Sequence, residues 1–440
     1  LSTSKSAQSS MVGFEESQAE GTHYNSTDDL YEKYIFPIVA KANRTKTVPS
    51  VISILEYFFI FIQIYLSGYN DFIPYEDTDP SYLTLLNVFY IGLNGEADGV
   101  IPSIIALIII DFVTVLFFLI CVIDYQINHE YRKWTLTILR FWYGHLFGVF
   151  LIPNFLMIMY GFAYLGIHDT ATAYIIVVLT TIFGCLSMWI YSTILPFFSR
   201  SPYFSPSPVF SCRIKNVYSL LILTSVPMGI QVLLNGQFAE WIEIIPQFLV
   251  VAVFLYDLYE CSFYLFQGIL FNALAIGCLS AAIVGSIFSI IEPFTDSIED
   301  LLFYLAPLVV LVVVTIVSYI IIAITNKRIE KRLMFDSFNE PGVKPDEESK
   351  KDHLALLRIT NRRKALKYAQ IGFEGMCDMF VDWSLFRHYI ENFPDDSELM
   401  SYMAWIISLF PSEIQFLQKV LTTAMKIVET SVDSKCFLYQ

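Results

Sequence analysis

Six ionisable side chains stand where the chain is otherwise oily: Glu56, Asp111, Arg140, His145, Asp257 and Glu260. A charge in hydrocarbon is costly, so such residues turn inward, pair with one another, and mark a polar seam or a path for ions and protons. A carboxylate facing Arg140 would neutralise both groups, and His145 lies about one turn further on. No repeated ladder of the voltage-sensor kind accompanies them. There is also no selectivity-filter sequence and no clear pair of inverted repeats. Two readings stay open: a structural ion pair, or a transport or sensing site.

Other chemistry is not in view. The chain has no Walker A lysine loop, HExxH, CxxC or GxSxG motif. Its histidines, His23, His129, His145, His168, His353 and His388, have no second ligand at metal-binding spacing. No catalytic residue, cofactor or metal is therefore expected within this chain. The net charge of −15 argues against nucleic acid as a partner.

The elements that must position the six residues follow from composition. Of 440 residues 55% are apolar and 16% charged, against about 25% charged in a soluble protein. Mean hydropathy is +0.56. The oily part must face a lipid bilayer. Residues 1–49 are polar, 51–326 hold only six Lys/Arg, and charge of both signs is dense from Lys327 onward. This divides the chain into an N-terminal cytoplasmic segment (1–49), a membrane domain (50–326), a linker (327–351) and a helical tail (352–440).

The expected fold is all-α, a polytopic bundle followed by cytoplasmic helical repeats. A span takes roughly 17–25 apolar residues, and eight such runs lie at 50–69, 101–123, 141–162, 171–195, 218–234, 244–266, 269–291 and 301–325. Pro153 and Pro227 are expected to kink the third and fifth. The run 82–93 is too short to cross and reads as interfacial or re-entrant. Loop cations fall in alternate connections: Arg132 and Lys133 after the second span, and Arg200, Arg213 and Lys215 after the fourth. Lys41, Arg44 and Lys46 precede the first span, and Lys327, Arg328, Lys331 and Arg332 follow the last. By the positive-inside rule both ends are cytoplasmic. The sequons at Asn25 and Asn43 should then stay unglycosylated. None of the seven cysteines falls in an outside loop, so no extracellular disulfide framework is expected.

Within the seventh span Ala273, Gly277, Ala281, Gly285 and Ser289 recur every four residues. One helix face is thereby lined with small side chains on which another backbone can close. Packing within the monomer is the first reading, and a homodimer seam the second.

In the tail, residues 353–380 read as a long amphipathic helix. Two units follow, WSLFRHYIENFPDDSEL and MAWIISLFPSEIQFL, with Pro394 and Pro411 spaced by 17 residues. That is half of a 34-residue helix–turn–helix repeat. Phe386, Tyr389, Ile390 and Phe393 would share one face, and Trp405, Ile406, Leu409 and Phe410 another. Such a repeat array docks a cytoplasmic protein partner, or else caps its neighbour. The start at Leu1 and the early stop of the array raise the expectation that the chain is part of a longer protein.

Taken with FWYGHLFGVFLIPNFL in the third span and the NRRKAL helix, the Phe-Pro units resemble those of the protist tiny macrocysts B-like membrane proteins. The resemblance implies an N-terminal multispan region followed by tetratricopeptide-like repeats. Some longer relatives carry a PAS sensor and a nucleotide cyclase beyond these. Only Phe393–Pro394 and Phe410–Pro411 align, and no catalytic residue carries over. A sensory or scaffolding membrane segment of a signalling protein is the function so implied, with a channel or secondary transporter as the alternative.

Overall fold

A computed structural model describes residues 37–38, 50–68, 88–93, 99–128, 132–142, 146–168, 170–200, 240–261, 268–291, 300–334, 362–375 and 384–393, with 224–226, 228–230, 232–233, 359 and 403. Among the described residues there is no strand. The helices are α1 (Ser50–Leu66), α2 (Ile101–Asn128), α3 (Lys133–Phe141), α4 (Leu151–Ile167), α5 (Ala171–Arg200), α6 (Glu240–Cys261), α7 (Ile269–Ile291), α8 (Asp300–Leu333), α9 (Arg362–Gly375) and α10 (Ser384–Asn392). A single helical turn, Phe147–Val149, stands between α3 and α4.

Four helical stretches are long and apolar enough to cross a bilayer: Ile101–Asn128, Ala171–Ile190, Ile269–Ile291 and Leu305–Leu333. Their outward faces are what lipid requires. Ile109, Phe112 and Leu116 on α2, Val178, Ile182 and Trp189 on α5, and Val313, Ile316 and Ile320 on α8 are all exposed. A continuous apolar surface of this kind is unsustainable in water. The protein is membrane-embedded.

Shorter apolar helices occur at Ile54–Leu66 and Gln247–Tyr259, inside the first and sixth expected spans, and at Leu151–Ile167, which overlaps the third and runs past its end. At 1.5 Å per residue the 17 residues of α4 reach about 25 Å, less than the roughly 30 Å of a hydrocarbon core. The fifth expected span is described only at 224–233, where the described positions are helical.

The third span departs from expectation. Over 141–162 the described residues divide into the end of α3 at Phe141, the helical turn Phe147–Val149 and α4 from Leu151, with a turn at Phe150 and with 143–145 outside the described residues. Pro153 lies in the first turn of α4. The helical turn Phe147–Val149 stands directly before this helix, and the missing N–H of Pro153 leaves the Val149 carbonyl, four residues back, without a helical donor. α8 departs in the other direction. It runs 34 residues without a break through Lys327, Arg328, Lys331 and Arg332. Basic residues are good helix formers and suit a C-terminal end, so the charge boundary at 326 is no helix boundary.

Helix α7 sits at the centre of one group, packed against α1, α6 and α8, while α2, α4 and α5 pack on one another. A shared core joins the groups through Ile60 of α1, Tyr90, Ile104 of α2, Leu156 of α4, Phe254 of α6 and Leu279 of α7.

In the tail, α9 packs against α8, and the Tyr389 hydroxyl of α10 donates to the Ala365 carbonyl of α9 at 2.8 Å. Leu385, Phe386 and Tyr389 are fully buried, and Tyr389 makes edge contacts with Phe386 and Phe393. The expected helix over 353–380 is interrupted among the described residues. Ile359 is not helical and α9 begins at Arg362. The preceding Thr360 and Asn361 are residue types that favour a helix start over a helix interior. Pro394, Pro411 and the face of Trp405, Ile406, Leu409 and Phe410 lie outside the described residues.

Candidate functional site

The break between α3 and α4 is where polar groups collect. Gln63, in the apolar run FFIFIQIYL of α1, is fully buried. Its Nε2 donates to the Phe89 carbonyl at 2.8 Å and the Val149 carbonyl at 3.0 Å. A carbonyl without its helical donor must be satisfied from within the protein where no water reaches. Val149 lies four residues before Pro153, which has no N–H to give it, and one amide serves this carbonyl and that of Phe89. In return the Tyr90 hydroxyl donates to the Gln63 carbonyl at 2.6 Å.

Residues 88–93, expected to be interfacial or re-entrant, turn within the protein, with Tyr90 and Leu93 fully buried. The reversal uses Ile91 at φ 58° and Gly92 at φ 71°. A left-handed conformation costs an L-residue roughly 1–2 kcal/mol, and a β-branched side chain rarely adopts it. Burial of Tyr90 and Leu93, with the Leu93 N–H bonded to the Tyr90 carbonyl at 3.1 Å, holds the turn. A side chain at 92 would also meet the Ser103 hydroxyl.

A second polar group lies between α2, α4 and α5. Asp111 is fully buried on α2, and Asn154, in the first turn of α4, donates from Nδ2 to its Oδ1 at 3.0 Å. Ser187 of α5 faces the same carboxyl, at a geometry outside hydrogen-bond limits. One turn beyond Asp111, Thr114 donates to the Ile110 carbonyl at 2.8 Å and accepts from Trp142 Nε1 at 2.9 Å. Trp142 stacks on Phe150, at the other end of the break.

The six ionisable residues are thus placed unequally. Among the described residues the partner of Asp111 is the neutral amide of Asn154. The side chains of Arg140 and Glu260, and His145 as a whole, lie outside the described residues, and the expected carboxylate–Arg140 pairing lies there with them. Glu56 is half-buried on α1, and Asp257 is buried on α6. Helix α6 packs on α7, whereas Asp111 is held between α4 and α5. Attention to charge alone missed Gln63 and Asn154. Lone amides inside FFIFIQIYL and FLIPNFL were the available signal. No group of three or more His, Cys, Asp or Glu able to hold a metal occurs among the described residues.

All five small residues of the α7 stripe are buried within this chain. Ala273 packs with Ile322 of α8. A Cβ at Gly277 would strike Thr315 Oγ1 and stand 3.0 Å from the Leu311 carbonyl of α8. A Cβ at Gly285 would stand 3.2 Å from the Gly68 carbonyl, just past α1, and Ser286 Oγ donates to that carbonyl at 3.2 Å. The stripe therefore lets α7 approach both α8 and the end of α1 closely.

Compared with family models, curated proteins and solved structures, the chain matches none, so the likeness to tiny macrocysts B-like proteins rests on the quoted residues alone.

Proposed function

We propose that the chain is the membrane-embedded input region of a signalling protein. In this reading eight spans keep both ends in the cytoplasm, and a helical tail offers a docking surface to a protein partner. The observation that carries it is the continuity of α8, which runs from its apolar stretch through the basic cluster and packs against α9. At 34 residues α8 is about 51 Å long, so some 14 residues extend beyond the roughly 20 that a bilayer needs. Pro307 lies in the second or third turn of α8, and from Leu308 to Leu333 the helix has no further proline, so this part transmits a shift or tilt of the bundle to whatever is fastened to its end. The loop cations supply the orientation, and the buried stripe on α7 leaves the homodimer as a secondary proposal for other faces.

The test is a distance distribution between spin labels at positions 316 and 391, one on each side of Asn326, in the full chain in nanodiscs. A narrow distribution that broadens when three glycines are inserted after Asn326 is the expected result. A distribution already broad without the insertion would show a loosely tethered tail and overturn the reading. Transport is the second reading, favoured by the buried Asp111 beside a broken helix, since interrupted spans line ion and substrate sites in transporters. Ion flux in proteoliposomes that Asp111→Asn abolishes would establish it instead.

A further inference from the structure

We infer that Asp111 is a proton-binding site, its neutral carboxylic acid paired in a closed two-bond ring with the carboxamide of Asn154. The argument rests on four atoms. Asn154 Nδ2 already donates to Asp111 Oδ1 at 3.0 Å. The two atoms left over, Asp111 Oδ2 and Asn154 Oδ1, are both buried and both without a hydrogen-bond partner. An ionised carboxylate can only accept, and so can an amide oxygen. A charged Asp111 would leave two acceptors unsatisfied on one contact, with one of them sharing a full negative charge. A proton on Oδ2 changes the arithmetic, because the acid then has one donor and one acceptor, matching the amide atom for atom.

The surroundings point the same way. Of the elements packed on α2, α4 faces the carboxyl with Asn154 and α5 with Ser187, and neither is titratable. No charged group among the described residues acts on it. An uncompensated charge at full burial costs several kcal/mol or more, and such a group takes up a proton instead. When the proton is released to water the ring opens. The Ser187 hydroxyl, buried and without a partner, can then turn its own proton onto the carboxylate. The site accordingly has two states that differ by one proton and one hydrogen-bond pattern. This inference does not depend on whether the bundle signals or transports.

Infrared difference spectroscopy on the full chain in nanodiscs tests it at neutral pH. The wild type is expected to show the carbonyl stretch of a hydrogen-bonded carboxylic acid, shifted in D₂O and missing from Asp111→Asn. Asn154→Leu should move that band to higher frequency, because the acid loses its amide partner. Should Asp111→Asn fail to fold, carboxyl-¹³C aspartate labelling of the wild type, with the Asn154→Leu shift, makes the assignment. A spectrum unchanged by both substitutions, or an acid band that disappears when sodium is added, would overturn the proposal, the latter in favour of a cation on the same oxygens.

Discussion

A close approach of two backbones, at the end of α1 and on α7, can be tested with a single methyl group. Gly68 follows the end of α1, and a Cβ placed there would lie 2.6 Å from the Ala282 Cα and 2.8 Å from its carbonyl carbon, as well as against its carbonyl oxygen. Ordinary carbon–carbon contact is about 3.5–4.0 Å, so Gly68→Ala must push α1 and α7 apart by about 1 Å. The obstacle is backbone, which cannot swing aside like a side chain. Nor does the conformation at 68 require glycine, since its φ is not in the left-handed region. The cost is therefore one of contact alone. Overpacking is worth about 1–3 kcal/mol, and separation also weakens the Ser286–Gly68 hydrogen bond, worth about 0.6 kcal/mol in a membrane setting. Together these give about 2–4 kcal/mol, a shift of at least about thirtyfold in the unfolding equilibrium. Gly285→Ala, on the facing helix, is the control. Its new Cβ would come no nearer than 3.2 Å to the Gly68 carbonyl oxygen and 3.4 Å to the carbonyl carbon, so a displacement of a few tenths of an ångström relieves it. Equilibrium unfolding of both variants by SDS in mixed micelles measures the difference. Gly68→Ala falling within about 0.5 kcal/mol of the wild type, or Gly285→Ala proving the more damaging, would refute the packing argument.

Gln63→Leu keeps the apolar volume and removes the amide, leaving the Phe89 and Val149 carbonyls buried without that donor. The expected loss is about 1–3 kcal/mol, seen in the same unfolding assay, with faster hydrogen exchange at 88–93. In the tail, burial lowers the pKa of His388 from its ordinary value of 6.5, with Glu391 opposing the shift. The unfolded chain then binds this proton more readily than the folded one, so the contribution to stability is complete above 6.5 and declines as pH falls below it. Its ring Nδ1 lies 3.1 Å from Asn392 Nδ2, a contact that suits an unprotonated nitrogen. Protease protection of the α9–α10 segment in the full chain should weaken as pH drops through that window, and His388→Gln should flatten the dependence.

The membrane character and the helical class were legible because twenty-odd apolar residues in a row admit few other outcomes. The long helices α2, α5 and α7 start close to where hydropathy places them. What hydropathy could not show is how α3 and α4 divide an apolar run. The window average over 141–162 is oily whether the backbone is continuous or broken. Pro153 was visible, but not that the Val149 carbonyl its missing N–H leaves free would be taken by Gln63. The stripe on α7 was readable as a packing face from spacing alone, whereas its partners were not, since Gly68 and Thr315 carry no pattern of their own. Asp111 was found by its charge. Asn154 and Gln63 were overlooked because an amide is cheap enough in an apolar run to pass unnoticed, although each proves to hold a polar contact between elements.

The order in which the contacts of α1 arrive during synthesis has a consequence for assembly. Gln63 meets the Phe89 carbonyl after 26 further residues and the Val149 carbonyl after 86, but Gly68 meets Ser286 only after 218. At about 5–20 residues per second, that last interval is roughly 10–45 s. For this time α1 waits in the bilayer with its close-packing notch open. Its polar side chain must be sheltered early by the turns that follow, and its final seat is supplied only when α7 has been inserted. Chains stalled or truncated before α7 would expose that notch to the insertion machinery and to the quality control that surveys it.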